Sequence, residues 1–489
     1  MQFPSVQDIQ YRLIVDRRLT AILVGLAIGA GAALLGLLLA AGGPALAIGA
    51  VAGTAIGLYM LTDLTAALFA TIGAVGLLPF ATLPVKVALV PTVIDCAMGA
   101  FILVYLFQWM TGKRSGLRTV PGHVLILVFI GYCIFCFVAG LGNAALTPAI
   151  LREFVELMLA VSLALILPDV ARDEGFLRRI TLIFIVVGVT EALIGLALYV
   201  INPDTAERIL LALSRFGYPN GGVIRYIQDD PTMAERAVGT WVDPNAYGGF
   251  LMMVAALTGV QVLAPQPVTG RRWLVVLAFA ILCAALVATI SRGAVVALAA
   301  VVLFVSALRY RWLMALIILG TALLLALPFT QAYIDHFVQG VTGEDLSTQM
   351  RFGEIKDALT LIGRYPVIGV GFAGTPDKDV YLGVSMLYLK IAGATGLVGL
   401  ALFLVTIGEV FRYGLVRWRR LNASPGLFNL WLGFTAGIVG ALVSGIFDHY
   451  YFNIEFIGAA MMFWMYVGLS LAAVRIAETN PSPLPDRTI

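Results

Sequence analysis

An all-α, polytopic transmembrane helix bundle is the fold class this sequence predicts. Three observations carry it. Hydrophobic residues make up 61% of the chain and charged residues 12%, about half the charged share of a soluble domain. Apolar runs of about 20 residues, the length that crosses a bilayer core, recur from one end of the chain to the other. The lysines and arginines between those runs gather at alternate connections.

Taken in order, the runs predict spans at 20–41, 44–62, 64–84, 90–111, 122–141, 148–168, 177–201, 245–264, 273–290, 294–309, 312–329, 384–411, 427–447 and 456–474. That is about fourteen spans. Twelve is the alternative count, because the first three runs are crowded and rich in Gly and Ala, residues that let helices approach closely. Residues 1–18 are polar, with Arg12, Arg17 and Arg18, and the first run is long enough to remain as a span. A cleavable signal peptide is therefore not expected.

Threading the fourteen spans puts the basic clusters on one side: Arg12/Arg17/Arg18, Lys113/Arg114/Arg118, Arg172/Arg178/Arg179, Arg271/Arg272, Arg309/Arg311, Arg412/Arg417/Arg419/Arg420 and Arg475/Arg487. By the positive-inside rule that side is cytoplasmic, and both termini lie there. The organisation that follows is N-terminal helices at 1–201, a first outer loop at 202–244 and central helices at 245–329. A second outer loop at 330–383, C-terminal helices at 384–475 and a cytoplasmic tail at 476–489 complete it.

The net charge of +3 does not point to nucleic acid. Cys96, Cys133, Cys136 and Cys283 all fall in apolar runs and read as packing residues. Neither a metal site nor a cofactor is expected, since ligand histidines are absent near the cysteines.

Both long outer loops predict a short amphipathic helix. In the first, residues 205–216 have apolar positions at helical spacing, followed by a turn at Tyr218–Gly222. In the second, Met350, Ile355, Ala358, Leu359 and Ile362 recur at helical spacing over 347–363, ended by Gly363 and Pro366. Gly369-Val370-Gly371 then reads as a tight, flexible link. It is not a phosphate loop, lacking the lysine and the strand. Arg236 sits just above the next span, and Arg351 lies in the first turns of the second loop helix. Arg292 occupies an outer connection of three residues, close to membrane depth, where a charge is costly and usually functional.

Four of these stretches, in order along the C-terminal half, resemble the O-antigen ligase and O-antigen polymerase superfamily of bacterial inner membranes. They are RAVGTWVDPNAYGGF at 236–250, SRGAVVAL at 291–298, RFGEIKDALTLIGRYPVIGVG at 351–371 and MLYLKIAGATGLVGL at 386–400. The resemblance implies transfer of a glycan from an undecaprenyl-diphosphate carrier onto an acceptor sugar at the periplasmic face of the inner membrane, with no metal. The implied partners are that donor, a glycan acceptor, the lipid bilayer, and flippase and chain-length regulator proteins. Ligases of this kind commonly place His-Asn just before the Tyr-Leu of the last stretch. Aligned on Tyr388-Leu389, this chain has Ser385-Met386 there, which favours a polymerase over a ligase.

The residue chemistry points the same way. A departing diphosphate gathers negative charge, and guanidinium groups bind phosphate oxygens bidentately without deprotonating. Arg236, Arg292 and Arg351 are the candidate set for that charge; ion pairing with Glu235, Asp243 or Glu354 is the structural alternative for each. Among three histidines, His449 in FDHYYFN faces the same side and is the first candidate for moving the acceptor proton, ahead of His336, Asp243 and Asp379. His123 falls on the cytoplasmic side. The matched motifs add Asn245 and Tyr388 as substrate-binding candidates. Lys390 and Tyr450 join them, with snorkelling and an interfacial aromatic belt as their structural alternatives. Asp63, Asp95, Glu156, Glu191 and Glu409 are too scattered for a proton relay. A transporter is the rival from another class, but no internal repeat is visible and the charges concentrate in the outer loops.

Overall fold

The structure, a computed structural model, describes residues 59–83, 90–114, 116–315, 346–377, 379 and 383–479, with a few isolated positions besides. The expected span at 20–41, most of those at 44–62 and 312–329, and His336 lie outside the described residues.

Each expected span within the described residues is a helix. They are α1 (Leu64–Leu77), α2 (Val93–Met110), α3 (Gly122–Gly140), α4 (Pro148–Val170) and α5 (Glu174–Val200), then, after the short α6 (Pro203–Ala212), α7 (Pro244–Leu263), α8 (Arg272–Ala288) and α9 (Arg292–Leu308). Beyond the loop helix α10 (Leu346–Arg364) come α11 (Leu387–Val416), the short α12 (Trp418–Ala423), α13 (Pro425–Ser444) and α14 (Ile457–Thr479). Among the described residues seven helices are long and apolar enough to cross a membrane. The chain is a multi-pass, all-α membrane protein. The largest end shift is at α1, which stops at Leu77 ahead of a Pro79–Phe80 turn.

Local chemistry starts these helices where they start. Asp63, Thr92, Thr147, Asp173, Asn202, Asp243 and Ser291 each cap a helix through a side-chain oxygen, satisfying backbone donors that would otherwise be orphaned in an apolar medium. Pro148, Pro203 and Pro244 follow their caps at the first helical position, where a missing N–H costs nothing.

Burial sorts the helices into an inner and an outer set. Helix α14 is enclosed over its whole span, and α7 and α13 over most of theirs. Small residues allow the close approaches: Gly468 lies on Ala164 of α4, and Gly437 on the Tyr466 ring. Helices α2, α3 and α11 turn Leu103, Phe107, Val124, Phe135, Leu404 and Val405 outward, as lipid-facing helices do.

The basic connections share one end of the bundle. There Arg114 pairs with Asp169 at 2.9 Å, and the Arg178 guanidinium donates to the carbonyls of Gln266 and Pro267. Arg309 donates to Asn422 at 3.2 Å, and Arg475 donates to the Ala171 carbonyl. The other end carries α6, α10 and a two-stranded ribbon that the sequence patterning did not show. In it, β1 (Arg225–Tyr226) pairs antiparallel with β2 (Glu235–Arg236).

Two expectations for the second loop need correction. First, the apolar stripe of α10 is split. Ala358, Leu361 and Ile362 are buried, whereas Met350 and Leu359 are exposed together with Phe352. The seam at 358, 361, 362 and 365 packs inward; Phe352 and Leu359 share a second face that looks out, as on a helix lying along a bilayer surface, and Met350 opens on the cavity described below. Second, the Gly369-Val370-Gly371 segment is a docked plug, not a flexible link. Helix α11 breaks at Gly396, whose φ is +70°. Into that break the 366–371 segment inserts. Val370 N–H donates to Gly393 O and Gly371 N–H to Ala394 O, each at 2.9 Å, and Leu397 N–H donates to Pro366 O at 2.7 Å. Tyr132 and Asn143 donate to the Val367 and Val370 carbonyls. The plug answers the backbone groups an interrupted helix leaves unsatisfied.

Candidate active site

At the end opposite the basic connections, several helix starts converge on a cavity of about 300 Å³. Asp243 and Asn245 line it from the start of α7, and Met350, Arg351 and Glu354 from α10. Ser385 contributes from just before α11, and Asp448, His449, Tyr450, Glu455 and Phe456 from the turn between α13 and α14.

Strained backbone sets the α7 wall. Val242 and Ile290 take φ of +63° and +51°, a region β-branched residues seldom enter. Each stands next to the residue that caps a helix, Asp243 for α7 and Ser291 for α9. Strain of this kind costs about 1–3 kcal/mol per residue and gathers at functional sites. Asp243 Oδ1 accepts from the backbone N–H groups of Asn245 and Ala246 at 2.8 Å each. Arg236, half-buried at the end of β2, donates to the Thr289 carbonyl at 2.9 Å and to Asn245 Oδ1 at 2.7 Å. Burial pulls its guanidinium below the ordinary range, with Asp243 and Asp448 countering. It still carries its charge at neutral pH.

The opposite wall is tied together through α10. Arg351 Nη2 stands 3.7 Å from Asp448 Oδ1. Glu354 Oε2 accepts from the Ser385 backbone N–H at 3.0 Å. The Leu387 N–H donates to the carbonyls of Gly445 and Asp448, so the first turn of α11 holds the α13–α14 turn in place.

Asp448 and His449 differ in charge state for one shared reason. Burial pushes the Asp448 carboxyl up to about 7; Arg351 works against the rise and Asp243 adds to it. Burial, with Lys390 and Arg351 adding, drives the His449 imidazole down to about 4. At neutral pH the imidazole is uncharged and the carboxyl is poised between its two forms.

The tautomer of His449 follows from its neighbours. The Glu455 N–H donates to Asn453 Oδ1 at 3.1 Å. The Asn453 amide nitrogen therefore faces His449 Nδ1, 3.1 Å away, and donates to it. A neutral imidazole accepting at Nδ1 carries its proton on Nε2.

Asn245, Arg351, His449 and Tyr450 thus meet at the cavity, and Arg236 stands behind Asn245. Arg292, Tyr388 and Lys390 are not among the lining residues. Arg292 opens α9, next to Gly293, where an added Cβ would meet Phe447 at 3.0 Å and Asp448 Oδ2 at 3.5 Å. The Tyr388 hydroxyl donates to the Leu442 carbonyl at 2.6 Å and stitches α11 to α13. Lys390 is near enough to act electrostatically on Glu455 and His449. Tyr450 and Tyr451 are buried, not an aromatic belt; the Tyr451 hydroxyl donates to Gly249 O. Asp379 is occupied by Arg364, which also holds Asp377. His123 is buried near Leu471, far along α14 from the cavity.

Asp448, Glu354, Ser385, Glu455 and Phe456 are the lining residues that spacing alone did not single out. Adjacency to His449 is the only sequence signal Asp448 offers. The scattered carboxylates have local duties: Glu156 pairs with Arg152 at 2.9 Å, Glu409 with Arg412 at 2.6 Å, and Glu191 Oε1 accepts from Thr240 N–H at 2.7 Å.

Residues 277–404 match the family model described as O-antigen ligase. Over that stretch the chain is similar to the O-antigen ligase/polymerase superfamily. The match runs from within α8 to within α11 and includes Arg292, Arg351, Glu354 and Ser385. Arg236, Asp448 and His449 lie outside the matched stretch. No curated protein matches it.

Proposed function

We propose that this protein is a membrane glycosyltransferase that polymerises undecaprenyl-diphosphate-linked oligosaccharide repeats at the periplasmic face of the bacterial inner membrane. The observation that carries the reading is Arg351 beside Asp448 at a cavity where helix starts converge. An arginine there meets the charge of a departing diphosphate, and helix N-termini favour the same anion. The basic end of the bundle supports the reading of cytoplasmic termini, by the positive-inside rule.

In the proposed step, the acceptor hydroxyl attacks the anomeric carbon of the donor glycan. The bond from that carbon to the diphosphate oxygen breaks, and undecaprenyl diphosphate leaves with the electron pair. Asp448, ionised in about half the molecules near pH 7, takes the hydroxyl proton. His449, protonated on Nε2, donates a hydrogen bond to the substrate and does not act as the base. Arg351 stabilises the leaving diphosphate, with Arg236 and Arg292 adding positive charge at the α7 and α9 starts. The charge comes from arginines, so a chelator is expected to leave turnover unchanged.

Polymerase is preferred to ligase on one observation. Ser385, where aligned ligases commonly carry a histidine, lines the cavity beside Glu354 and brings no titrating group. The test supplies purified protein in detergent with a lipid-diphosphate-linked oligosaccharide and compares wild type with Arg351→Ala and Arg292→Ala. Longer lipid-linked glycans from wild type, and far less from the variants, support the reading. Transfer only when lipid A-core is supplied would replace polymerase with ligase. Wild type that leaves the donor intact with either acceptor would reject a glycosyltransferase.

A further inference from the structure

The cavity has an unexpected charge balance for a site that receives a diphosphate. Asp243, Glu354, Asp448 and Glu455 line it, and Arg351 is the one arginine among the described lining residues. Asp243 is spent on the helix cap and Asp448 faces Arg351. Glu354 accepts from the Ser385 N–H through Oε2, and Glu455, within electrostatic reach of Lys390, is exposed beside the Phe456 ring. Tyr450 lines the same space, its hydroxyl buried with Asp448 and Ser444 as polar neighbours. His449 adds an Nε2–H donor.

Carboxylates accept hydrogen bonds from sugar hydroxyls, a phenol both gives and accepts, and an aromatic ring packs on the apolar face of a pyranose. The same carboxylates repel an anionic sugar in a partly dry site. We propose that this wall is the acceptor-sugar subsite and that it takes neutral or amino sugars while excluding uronic and other acidic ones. The proposal rests on the reading that an acceptor glycan enters this cavity. Glu455 and Glu354 set the selectivity, and the arginine side is left to the diphosphate.

The test reads binding, so its outcome is separate from that of turnover. Saturation-transfer NMR on the full chain in nanodiscs uses methyl β-glucoside, methyl β-glucosaminide and methyl β-glucuronide as probes. The first two are expected to bind wild type, and the glucuronide more weakly by about tenfold or more, the scale of one like-charge contact near a protein surface. Glu455→Gln is expected to recover much of the glucuronide signal. Ser385→Trp, which fills the cavity, is expected to remove all three signals at an unchanged melting temperature. Glucuronide binding equal to glucoside in wild type, signals that survive Ser385→Trp, or no binding by any probe would overturn the proposal.

Discussion

Arg351 and Asp448 stand 3.7 Å apart, joining a helix of the second outer loop to the turn between the last two spans. They are 97 positions apart in the chain (448 − 351). In the proposed step, removing the arginine takes away both the partner of the departing diphosphate and the positive charge that favours the ionised form of Asp448. Arg351→Ala is expected to lower turnover by about 10²–10³-fold, the usual loss for one preorganised donor to developing charge. Arg351→Lys should recover only part of it, since an ammonium lacks the planar fork. Chain-elongation rates for the two variants check this.

The pH profile follows from Asp448. Its folded value of about 7 lies above the 3.8 of the free side chain. The folded protein therefore binds the proton more tightly than the unfolded chain between those values. This group's contribution to stability falls as pH rises through that window and is constant above it. With Asp448 as the proposed base, activity is expected to run the other way, rising as the carboxylate forms. Turnover is expected to climb with a midpoint near 7 and to show no step near 4, where His449 titrates. Asp448→Asn should abolish the climb. A profile flat between pH 6 and 8 would remove Asp448 as the base.

His449 depends on Asn453 for its tautomer. Asn453→Asp places an acceptor opposite Nδ1, moving the proton there and raising the imidazole by charge attraction. Turnover is expected to fall by about 10²-fold, as when a positioned proton donor is lost. The imidazole ¹⁵N shifts should report protonation at Nδ1. An unchanged ¹⁵N pattern would refute the assignment.

Glu191, inside α5, accepts from Thr240 N–H at 2.7 Å and so anchors the strap that leads to Val242 and Asp243. Glu191→Leu strands that buried donor at a cost of about 1–3 kcal/mol. Glu191→Gln keeps an acceptor and should lose much less. Thermal melting in detergent separates the two, and a Leu variant as stable as wild type would contradict the strap's dependence on Glu191.

Gly396 makes the break in α11. An added Cβ there would lie 2.1 Å from Val367 O, on a residue with φ of +70°. Gly396→Ala is expected to destabilise by more than the roughly 1–2 kcal/mol of left-handed backbone strain alone, because the plug must also move. Gly131→Ala on α3, where a Cβ meets nothing within 4 Å, is the control. Equal melting temperatures for the two variants would show that the plug yields without cost.

Much of the fold was legible because the bilayer imposes it. An apolar run of spanning length must become a helix to satisfy its own backbone, and helices such as α4 (Pro148–Val170) and α13 (Pro425–Ser444) form within a few residues of where the runs predict them. The loop helix α10 was legible by its periodicity, and Arg236, Arg351 and His449 as candidates by their place in the loops away from the basic connections. The split face of α10 was not. Two apolar stripes on one helix look alike in sequence, and only the partner at Leu361 and Ile362 tells them apart.

By itself the sequence determined the spans, their common basic end and the family likeness, since hydropathy, charge and short motifs are local properties. The tertiary structure alone decided that the Gly369–Gly371 stretch plugs the Gly396 break, and that Asp448 stands beside Arg351 at the cavity. Both depend on burial and on contacts between distant segments. Hydrogen-bond partners and desolvation, which set the state of a carboxyl or an imidazole, come into being only when the chain has packed.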